Sequence, residues 1–514
     1  MLRRIVVILS LVMGLIYPAR AQMSNPAQVA QRIREYRRAH EPEIVRELTD
    51  LLAIPNVASD TPNIQRNAAK LREMFERRGF HVELLAIPGR GPVVYGEIAT
   101  PGAARTVLFY AHYDGQPVNA SEWTGSKPFE PVLRTGMMES GGAIIPFPNA
   151  PGAYQDDWRI YARSASDDKA PIVALLAALD ALRAAKIPLA VNLKVILEGE
   201  EENGSPHLES TLLAHRELLA GDVLIAADGP VHASGRPLVF FGNRGIAGIE
   251  ITVYGPIRSL HSGHYGNWAP NPAMGLAQLL ATMKDANGRV LIAGFYDDVA
   301  PLGEAERHAI AEMPQDDAEL AAKLGIAQPE GSGRRLAELI HEPSLNVRGL
   351  RSADVGEQAR TVIPDRAIAS LDLRLVKNET PERQFERVVA HIRKQGYYVT
   401  ANEPTTEERA KYPKIARVTK NAWNYPATRT PMDLPVSRAV VAVIEGATGG
   451  PPVQLPSLGG SAPMDIFENL KLPVIGVPIV NYDNSQHAAN ENLRLGHLWR
   501  GMEIFGALLA DLNW

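Results

Sequence analysis

Short apolar segments that each end in an acidic residue or a histidine recur along this chain, and they constrain its fold more than any other feature. Residues 106–110, 191–197 and 223–227 are rich in Val, Ile, Leu and aromatic side chains, which is typical of strands buried on both faces. Segments with helical periodicity, 171–186 and 208–219, lie between them. Strands that alternate with helices form sheets covered by helices, so the sequence predicts an α/β domain with a mostly parallel central sheet.

The pattern changes near residue 240 and returns near residue 420. Between these points, residues 246–254 alternate in polarity, residues 361–376 indicate a strand pair, and residues 271–284 and 382–394 indicate helices. Antiparallel strands combined with helices predict a separate α+β unit. We therefore predict one α/β domain, formed by residues 22–240 and 421–514, that is interrupted by an α+β domain of residues 241–420.

The N-terminus resembles a secretory signal peptide. Arg3 and Arg4 precede an apolar run at 5–17, and the small residues Ala19 and Ala21 follow it, which predicts removal of residues 1–21. The alternative is a membrane anchor, but this run is shorter than the ~20 residues that span a bilayer. We expect export to the periplasm or the medium, with no membrane span after cleavage.

The composition limits the chemistry. The chain has 514 residues and no cysteine, which excludes disulfides, thiol nucleophiles and cysteine-ligated metals. Any metal site must then use His, Asp and Glu. The 53 basic and 58 acidic residues are interspersed without a basic stripe, so we expect a small-molecule substrate and no nucleic acid partner.

Five predicted strands are followed by acids or imidazoles. In chain order these residues are His112 and Asp114, Asp167 and Asp168, Glu198 and Glu200 to Glu202, Asp228, and Asp483 and His487. Each motif alone is more typical of a loop or a charged surface. Together they follow strand ends, where ligands bind in open α/β sheets. Because clustered carboxylates repel one another, the set predicts divalent cations among them, in a site for two metals.

Several ordered motifs resemble a known family. They are AHYDGQP at 111–117, DDKAP at 167–171, EGEEENGS at 198–205, LHSGHYG at 260–266, TVIP at 361–364 and RLV at 374–376. The sequence is similar to the zinc-dependent dipeptidase, carboxypeptidase and aminoacylase metallopeptidases, of the carnosine dipeptidase-like and glutamate carboxypeptidase-like types. Residues 111 and 170 are Ala where the family has Gly, and residues 421–434 are unfamiliar, which leaves the exact substrate open.

The resemblance implies a role for each strand-end residue. It implies that Asp167 bridges two metals. His112 and Asp228 then complete one metal site, and Glu202 and His487 complete the other. Glu201 becomes the general base that takes a proton from the water between the metals, and Asp114 orients His112. The metals are zinc, with manganese or cobalt as alternatives.

The inserted unit resembles the family's lid and dimerisation domain. The resemblance implies that His261 stabilises the oxyanion, in the partner subunit's site of a homodimer. It implies that Thr361, Arg374 and Ser461 hold the substrate's carboxylate. A rival interpretation is that His261 and His264 form a metal pair of their own.

The function predicted from these motifs is hydrolysis of the amide bond of dipeptides or short peptides with a free carboxylate. One alternative is an N-acyl-amino-acid deacylase with the same metals. Another is a non-catalytic peptide-binding relative, which the presence of Glu201 disfavours. Glu200 has no family counterpart, and we expect a solvated acid or one that supports the ligands from behind.

Overall fold

The computed structural model describes residues 25–461 and 464–514, with the backbone alone at 422 and 423. The predicted signal segment at 1–21 lies outside the described residues. The helices of the described part are α1 (Pro26–Leu52), α2 (Thr61–Glu76), α3 (Lys169–Ala184), α4 (Leu208–Ala214), α5 (Ser262–Tyr265), α6 (Pro272–Ala281), α7 (Glu304–Ala311), α8 (Asp317–Lys323), α9 (Leu336–Leu339), α10 (Pro381–Lys394), α11 (Thr406–Lys411), α12 (Pro435–Thr448), α13 (Asp465–Asn469) and α14 (Leu495–Asp511).

Most strands in the described part of the chain are short. They are β1 (His81–Leu85), β2 (Val93–Ile98), β3 (Thr106–His112), β4 (Val132–Arg134), β5 (Ile144–Ile145), β6 (Arg159–Tyr161), β7 (Asn192–Glu198), β8 (Val223–Ala226), β9 (Leu238–Phe240), β10 (Gly242–Asn243), β11 (Gly245–Tyr254), β12 (Leu260–His261), β13 (Ser344–Arg351), β14 (Val362–Ile363), β15 (Arg366–Leu375), β16 (Tyr398–Thr400), β17 (Ile415–Tyr425), β18 (Thr428–Arg429), β19 (Val453–Leu455), β20 (Val474–Gly476) and β21 (Asn492–Arg494).

The central sheet has eight strands in the order β1-β2-β7-β3-β8-β20-β9-β19. Strand β3 pairs in parallel with both β7 and β8, and β20 continues the parallel set beside β8. Strands β1 and β2 add an antiparallel edge next to β7. The predicted α/β class with a mostly parallel central sheet is confirmed.

Both faces of this sheet are buried. Successive residues of β3 point to opposite sides, and both sets pack in apolar cores. Val107 and Phe109 pack on one side with the helices α1, α3, α12 and α14. Leu108 and Tyr110 pack on the other side with α4 and α13. This arrangement leaves the carboxyl end of the sheet as the open edge, so the residues that follow the strands meet there.

A second sheet of five strands, in the order β13-β15-β11-β17-β16, forms the α+β unit. Its strands lie within residues 245–425 and are antiparallel except for the β16–β17 pair. The odd-numbered residues of β15 from 367 to 375 pack against α6 and α10 in a separate apolar core. The even-numbered residues, which include Arg374, point to the opposite face.

Two expectations about strand pairing are wrong. The predicted strand that precedes Asp167 and Asp168, at 158–161, forms β6, but β6 belongs to a four-stranded sheet with β4, β5 and β21 and not to the central sheet. The two strands within 361–376 do not pair with each other, since β14 pairs with β12. Local polarity identifies a short strand but not its partner, which distant segments supply. Among the described residues, no helix has both the length and the apolar character needed to cross a membrane.

Candidate functional site

Strand β3 carries His112 and Asp114 to the open edge of the central sheet, and both side chains are buried. The His112 imidazole Nδ1 lies 3.3 Å from a carboxylate oxygen of Asp114. The two Asp114 oxygens also accept the backbone N–H groups of Glu201 and Glu202, each at 3.1 Å. One carboxylate therefore fixes the imidazole and the loop after β7 together.

The loop after β7 passes close to the neighbouring strand. A Cβ at residue 199 would lie 2.5 Å from the Tyr113 hydroxyl, so Gly199 is required for the approach. The N–H of Tyr113 donates to the Glu198 carbonyl at 2.7 Å. This packing sets the positions of Glu201 and Glu202 relative to His112.

The turn between β6 and α3 brings Asp167 between two imidazoles. Its Oδ1 is 2.9 Å from His112 Nε2, and its Oδ2 is 3.1 Å from His487 Nε2. His487 Nε2 also lies 3.3 Å from the Glu202 carboxylate. Asp167 thus turns one oxygen to each side of the cluster, which is the arrangement that a bridging ligand needs.

The strand-end side chains form two groups of candidate metal ligands. In each group one ligand atom from every residue lies within 4.8 Å of the others. The groups are His112, Asp168 and Asp228, and Asp167, Glu202 and His487. The structure brings together the five residues expected to bind metal and adds Asp168, to which the sequence analysis gave no role.

Burial makes the negative charge of this cluster costly. It raises the pKa of Asp228 to about 6 and that of Glu202 to about 7, and the nearby Asp167 carboxylate adds to both shifts. Burial also raises the pKa of Asp168 and of Glu201 well above the usual range. These acids resist ionisation in the absence of a cation. A divalent cation that binds among them stabilises their ionised form.

Asp167 differs from the other acids of the cluster, because its pKa is lowered. Burial alone would raise the pKa of Asp167, but hydrogen bonds from His112 and His487 lower it. Asp168 Oδ1 is buried without a hydrogen-bond partner among the described residues. An unpartnered buried carboxylate oxygen needs a donor or a cation, so the residues present fit a pair of divalent metals.

Glu491 supports the cluster from behind and was missed in the sequence analysis. It is fully buried, and its carboxylate accepts the N–H groups of Ser164, Ser166 and Asp167 at 2.9–3.0 Å. Arg163 Nη1 neutralises it at 2.8 Å. The residue lies in the polar run NEN, and no sequence pattern distinguishes this buried acid from one in an exposed turn.

Two of the predicted substrate-binding residues are in contact. Arg374 Nη1 donates to Ser461 Oγ at 2.7 Å, which joins the inserted sheet to the segment after β19. Arg374 Nε also lies 3.3 Å from the Asp372 carboxylate. A guanidinium beside a hydroxyl is suited to bind a carboxylate.

His261 and Thr361 form a second pair on the inserted unit. Both are exposed, and the N–H of Ser262 donates to the Thr361 carbonyl at 3.1 Å. The His261 and His264 rings lie 4.4 Å apart, but no described residue joins them as a third metal ligand. No contact within the described part of the chain links His261 to the strand-end cluster, and its role in a partner subunit stays a prediction.

Glu200 is not solvated, which corrects one of the two roles expected for it. Its side chain is buried, and one oxygen lies 2.7 Å from His207 Nδ1. The other oxygen lies 3.6 Å from Arg90 Nε. Since neither partner belongs to a ligand group, Glu200 anchors the segment that carries Glu201 and Glu202.

The α/β sheet and the two ligand groups at its carboxyl edge are those of a metal-dependent hydrolase. Residues 108–511 match the sequence profile of peptidase family M20/M25/M40. The chain belongs to this family and is a metallopeptidase. The family resemblance drawn from the motifs is therefore confirmed.

Related proteins cover nearly the whole chain. A Cys-Gly metallodipeptidase from Schizosaccharomyces pombe is 26% identical over 491 residues, which are 91% of this chain and 95% of the relative. The human Beta-Ala-His dipeptidase is 25% identical over 519 residues, which are 95% and 94% of the two chains. The crystal structure of an M20 family metallo-carboxypeptidase from Sulfolobus solfataricus has a TM-score of 0.74 at 30% identity, covering 91% and 99%.

Proposed function

We propose that this chain is an exported metallodipeptidase that binds two zinc ions and hydrolyses dipeptides with a free carboxylate. The observation that carries the proposal is the pair of metal-ligand groups, with Asp114 joining His112 of one group to the backbone N–H of Glu201. The named relatives include a Cys-Gly metallodipeptidase and a Beta-Ala-His dipeptidase, which supports a dipeptide substrate.

The two ligand groups are the residues that would hold the cations. When bound, the metals neutralise the carboxylates, polarise the amide carbonyl and lower the pKa of water. Asp114 keeps the His112 ring in place, and Glu491 keeps the Asp167 backbone in place. Both acids thereby preserve the ligand arrangement during turnover.

Glu201 performs the proton transfers in this proposal. Its carboxylate accepts a proton from the attacking water as the oxygen bonds to the amide carbon. It then delivers that proton to the amide nitrogen as the carbon–nitrogen bond breaks, so the products are a carboxylic acid and a free amine. Glu201 belongs to neither ligand group, and its oxygens remain available for this task.

Arg374 and Ser461 limit the reaction to peptide ends. A free carboxylate on the leaving amino acid pairs with the guanidinium, which sets the distance from the carboxylate to the scissile bond. Longer peptides that continue past this point would place a neutral amide against the cation. We therefore expect a strong preference for substrates with a free carboxylate.

We also propose a homodimer joined at the edge of the inserted sheet. Strand β13 is an edge strand, and its residues Val347 and Leu350 are exposed. An exposed edge with apolar side chains is suited to pair with a second copy of itself. This interface lies on the unit that carries His261 and Thr361, as the partner-site prediction requires.

A side-by-side substrate assay tests the proposed activity. The purified protein is loaded with zinc and given dipeptides, their C-terminal amides, and N-acetyl and N-succinyl amino acids. We expect the dipeptides to be cleaved with the highest kcat/KM, and an Arg374→Ala variant to lose activity mainly on substrates with a free carboxylate. Preferred cleavage of N-acyl amino acids would overturn the proposal in favour of a deacylase.

A further inference from the structure

Three residues form one row across the inserted sheet. Ile246 of β11 lies directly opposite Arg374 of β15 on one side and directly opposite Tyr425 of β17 on the other. Residues directly opposite each other in antiparallel strands point to the same face. Arg374 and Tyr425 therefore flank Ile246 on the face that is turned away from the apolar core of this unit.

This face contacts a segment of the chain outside the inserted sheet. Arg374 contacts Ser461, which lies outside the inserted sheet, and Ser461 Oγ also donates to the Gly245 carbonyl at 3.3 Å. Tyr425 lies close enough to both charged groups to sense them: burial raises its pKa to about 12, the Glu201 carboxylate adds to the rise, and the Arg374 guanidinium opposes it. The phenol is thus within electrostatic range of both the proposed base and the proposed carboxylate site.

The Tyr425 hydroxyl is available for a ligand. It has no hydrogen-bond partner in the described part of the chain, although its ring is half-buried. Neighbouring strands lie ~5 Å apart, so the Arg374 and Tyr425 backbones are separated by ~10 Å, and two long side chains can meet above Ile246. A small anionic group that meets Arg374 in this space also meets the phenol.

A second donor is needed there because Arg374 is already partly satisfied. Its Nε lies 3.3 Å from the Asp372 carboxylate, and its Nη1 donates to Ser461. Asp372 offsets some of the positive charge that would attract an anion. A neutral hydroxyl can donate to the second oxygen of a carboxylate without adding charge.

We propose that Tyr425 determines specificity by donating a hydrogen bond from its hydroxyl to the carboxylate of the leaving amino acid, beside Arg374 and Ser461. The proposal rests on the proposed dipeptidase function and refines its substrate site. Its prediction is selective: the hydroxyl contributes to substrates with a free carboxylate and contributes nothing to their amides.

Tyr425→Phe, which removes only the hydroxyl, tests this proposal. Steady-state kinetics with L-alanyl-L-alanine and L-alanyl-L-alaninamide are measured for the zinc-loaded variant and for the wild-type protein. We expect kcat/KM for the free dipeptide to fall by about tenfold or more, mostly through KM, because a hydrogen bond to a charged group is lost. The amide should change less than about twofold.

Tyr398→Phe is the matched control. Tyr398 lies on β16, an edge strand of the same sheet, and donates its hydroxyl to Glu408 at 2.8 Å, so its loss should leave both substrates unaffected. Equal losses on the dipeptide and its amide for Tyr425→Phe would overturn the proposal, since they would place the hydroxyl at the reacting centre or in the fold.

Failure of the wider function is distinguishable from failure of the Tyr425 proposal. If the wild-type protein cleaves the dipeptide and Tyr425→Phe matches it, the role of Tyr425 is wrong and the dipeptidase function stands. If the wild-type protein cleaves none of a panel of free dipeptides, the dipeptidase function is wrong and the Tyr425 proposal falls with it.

Discussion

Asp114 and Glu491 hold the metal-ligand side chains from two directions. Asp114 contacts the His112 ring and the backbone of the loop that carries Glu201 and Glu202. Glu491 accepts three backbone N–H groups of the turn that carries Asp167. Because both carboxylates are buried and satisfied, the ligand positions are set before a cation arrives.

Replacing Glu201 with Gln separates proton transfer from metal binding. Gln has the same shape but cannot accept the proton, so we expect kcat to fall by about 10²–10⁴-fold. Metal content should stay unchanged, because Glu201 belongs to neither ligand group. Turnover and metal content are measured on the same preparation, and substantial remaining turnover would show that another group is the base.

Replacing Glu491 with Gln tests the support of the Asp167 turn. The variant leaves the buried Arg163 cation without its counter-charge, so we expect the free energy of unfolding to fall by about 3 kcal/mol. Metal affinity should fall by about tenfold or more as the Asp167 backbone loosens. Chemical denaturation and metal titration measure the two effects.

The control for this variant is Glu35→Gln. Glu35 pairs with Arg32 on the surface, and loss of that exposed ion pair should leave stability unchanged within error. If Glu491→Gln were as stable as this control, the buried carboxylate would not anchor the turn.

The sequence identified the residues of the metal centre better than it identified their supports. His112, Asp167 and His487 follow apolar segments, and the sequence pattern therefore shows that they lie at the ends of strands. Asp168 and Glu491 are buried by contacts with segments far away in the chain, and polarity alone predicts exposure for them. The buried state of a polar residue is a tertiary property.

At the scale of elements, the junction between β15 and α10 contains a buried acid. Glu379 accepts the N–H of Val376 at 2.9 Å and the Gln384 side-chain amide. Burial raises its pKa from 4.5 to about 7. The folded protein therefore binds a proton at this site over a pH range in which the unfolded chain has released it.

This shift predicts a pH dependence of stability. Below about pH 4.5 the contribution of Glu379 is fully present, and it is lost as the pH rises toward 7, by up to about 1.4 kcal/mol per pH unit. Glu379→Gln should remove this loss. The free energy of unfolding, measured between pH 5 and 8, should then fall less steeply for the variant than for the wild-type protein. Parallel curves would contradict the buried, protonated state.

The types of the longer elements were predictable, because the spacing of apolar residues in a long segment shows which of its faces is buried. The helices near 171–186 and 382–394 and the strand near 246–254 form with small shifts at their ends. The partner of a short strand was not predictable, as β6 and β14 show. Three or two residues of local sequence carry too little information to select one sheet among several.

At the scale of the whole molecule, the inserted sheet contacts the α/β domain through polar side chains. Arg374 reaches Ser461, and Lys377 pairs with Glu468 of α13. In the proposed function, the first of these contacts keeps Arg374 and Ser461 together across the two units. The exposed strand β13 lies at the edge of the same sheet, where we propose that a second copy binds.

The proposed dimer predicts a specific response to Leu350→Lys. A charge on the exposed edge strand β13 should prevent pairing, so we expect the dimer to dissociate at concentrations where the wild-type protein remains dimeric. Sedimentation equilibrium measures the mass. Leu213→Lys, which replaces another exposed leucine, on α4, should leave the mass unchanged. A Leu350→Lys variant with unchanged mass would place the interface elsewhere.

The central claim is that catalysis depends on two cations held by the strand-end residues. The most direct test removes the metals with a chelator, restores zinc stepwise, and follows hydrolysis of a free-carboxylate dipeptide. We expect no turnover after chelation and a maximum at two zinc ions per chain, as the two ligand groups require. Full turnover without metal, or saturation at one ion per chain, would contradict the account.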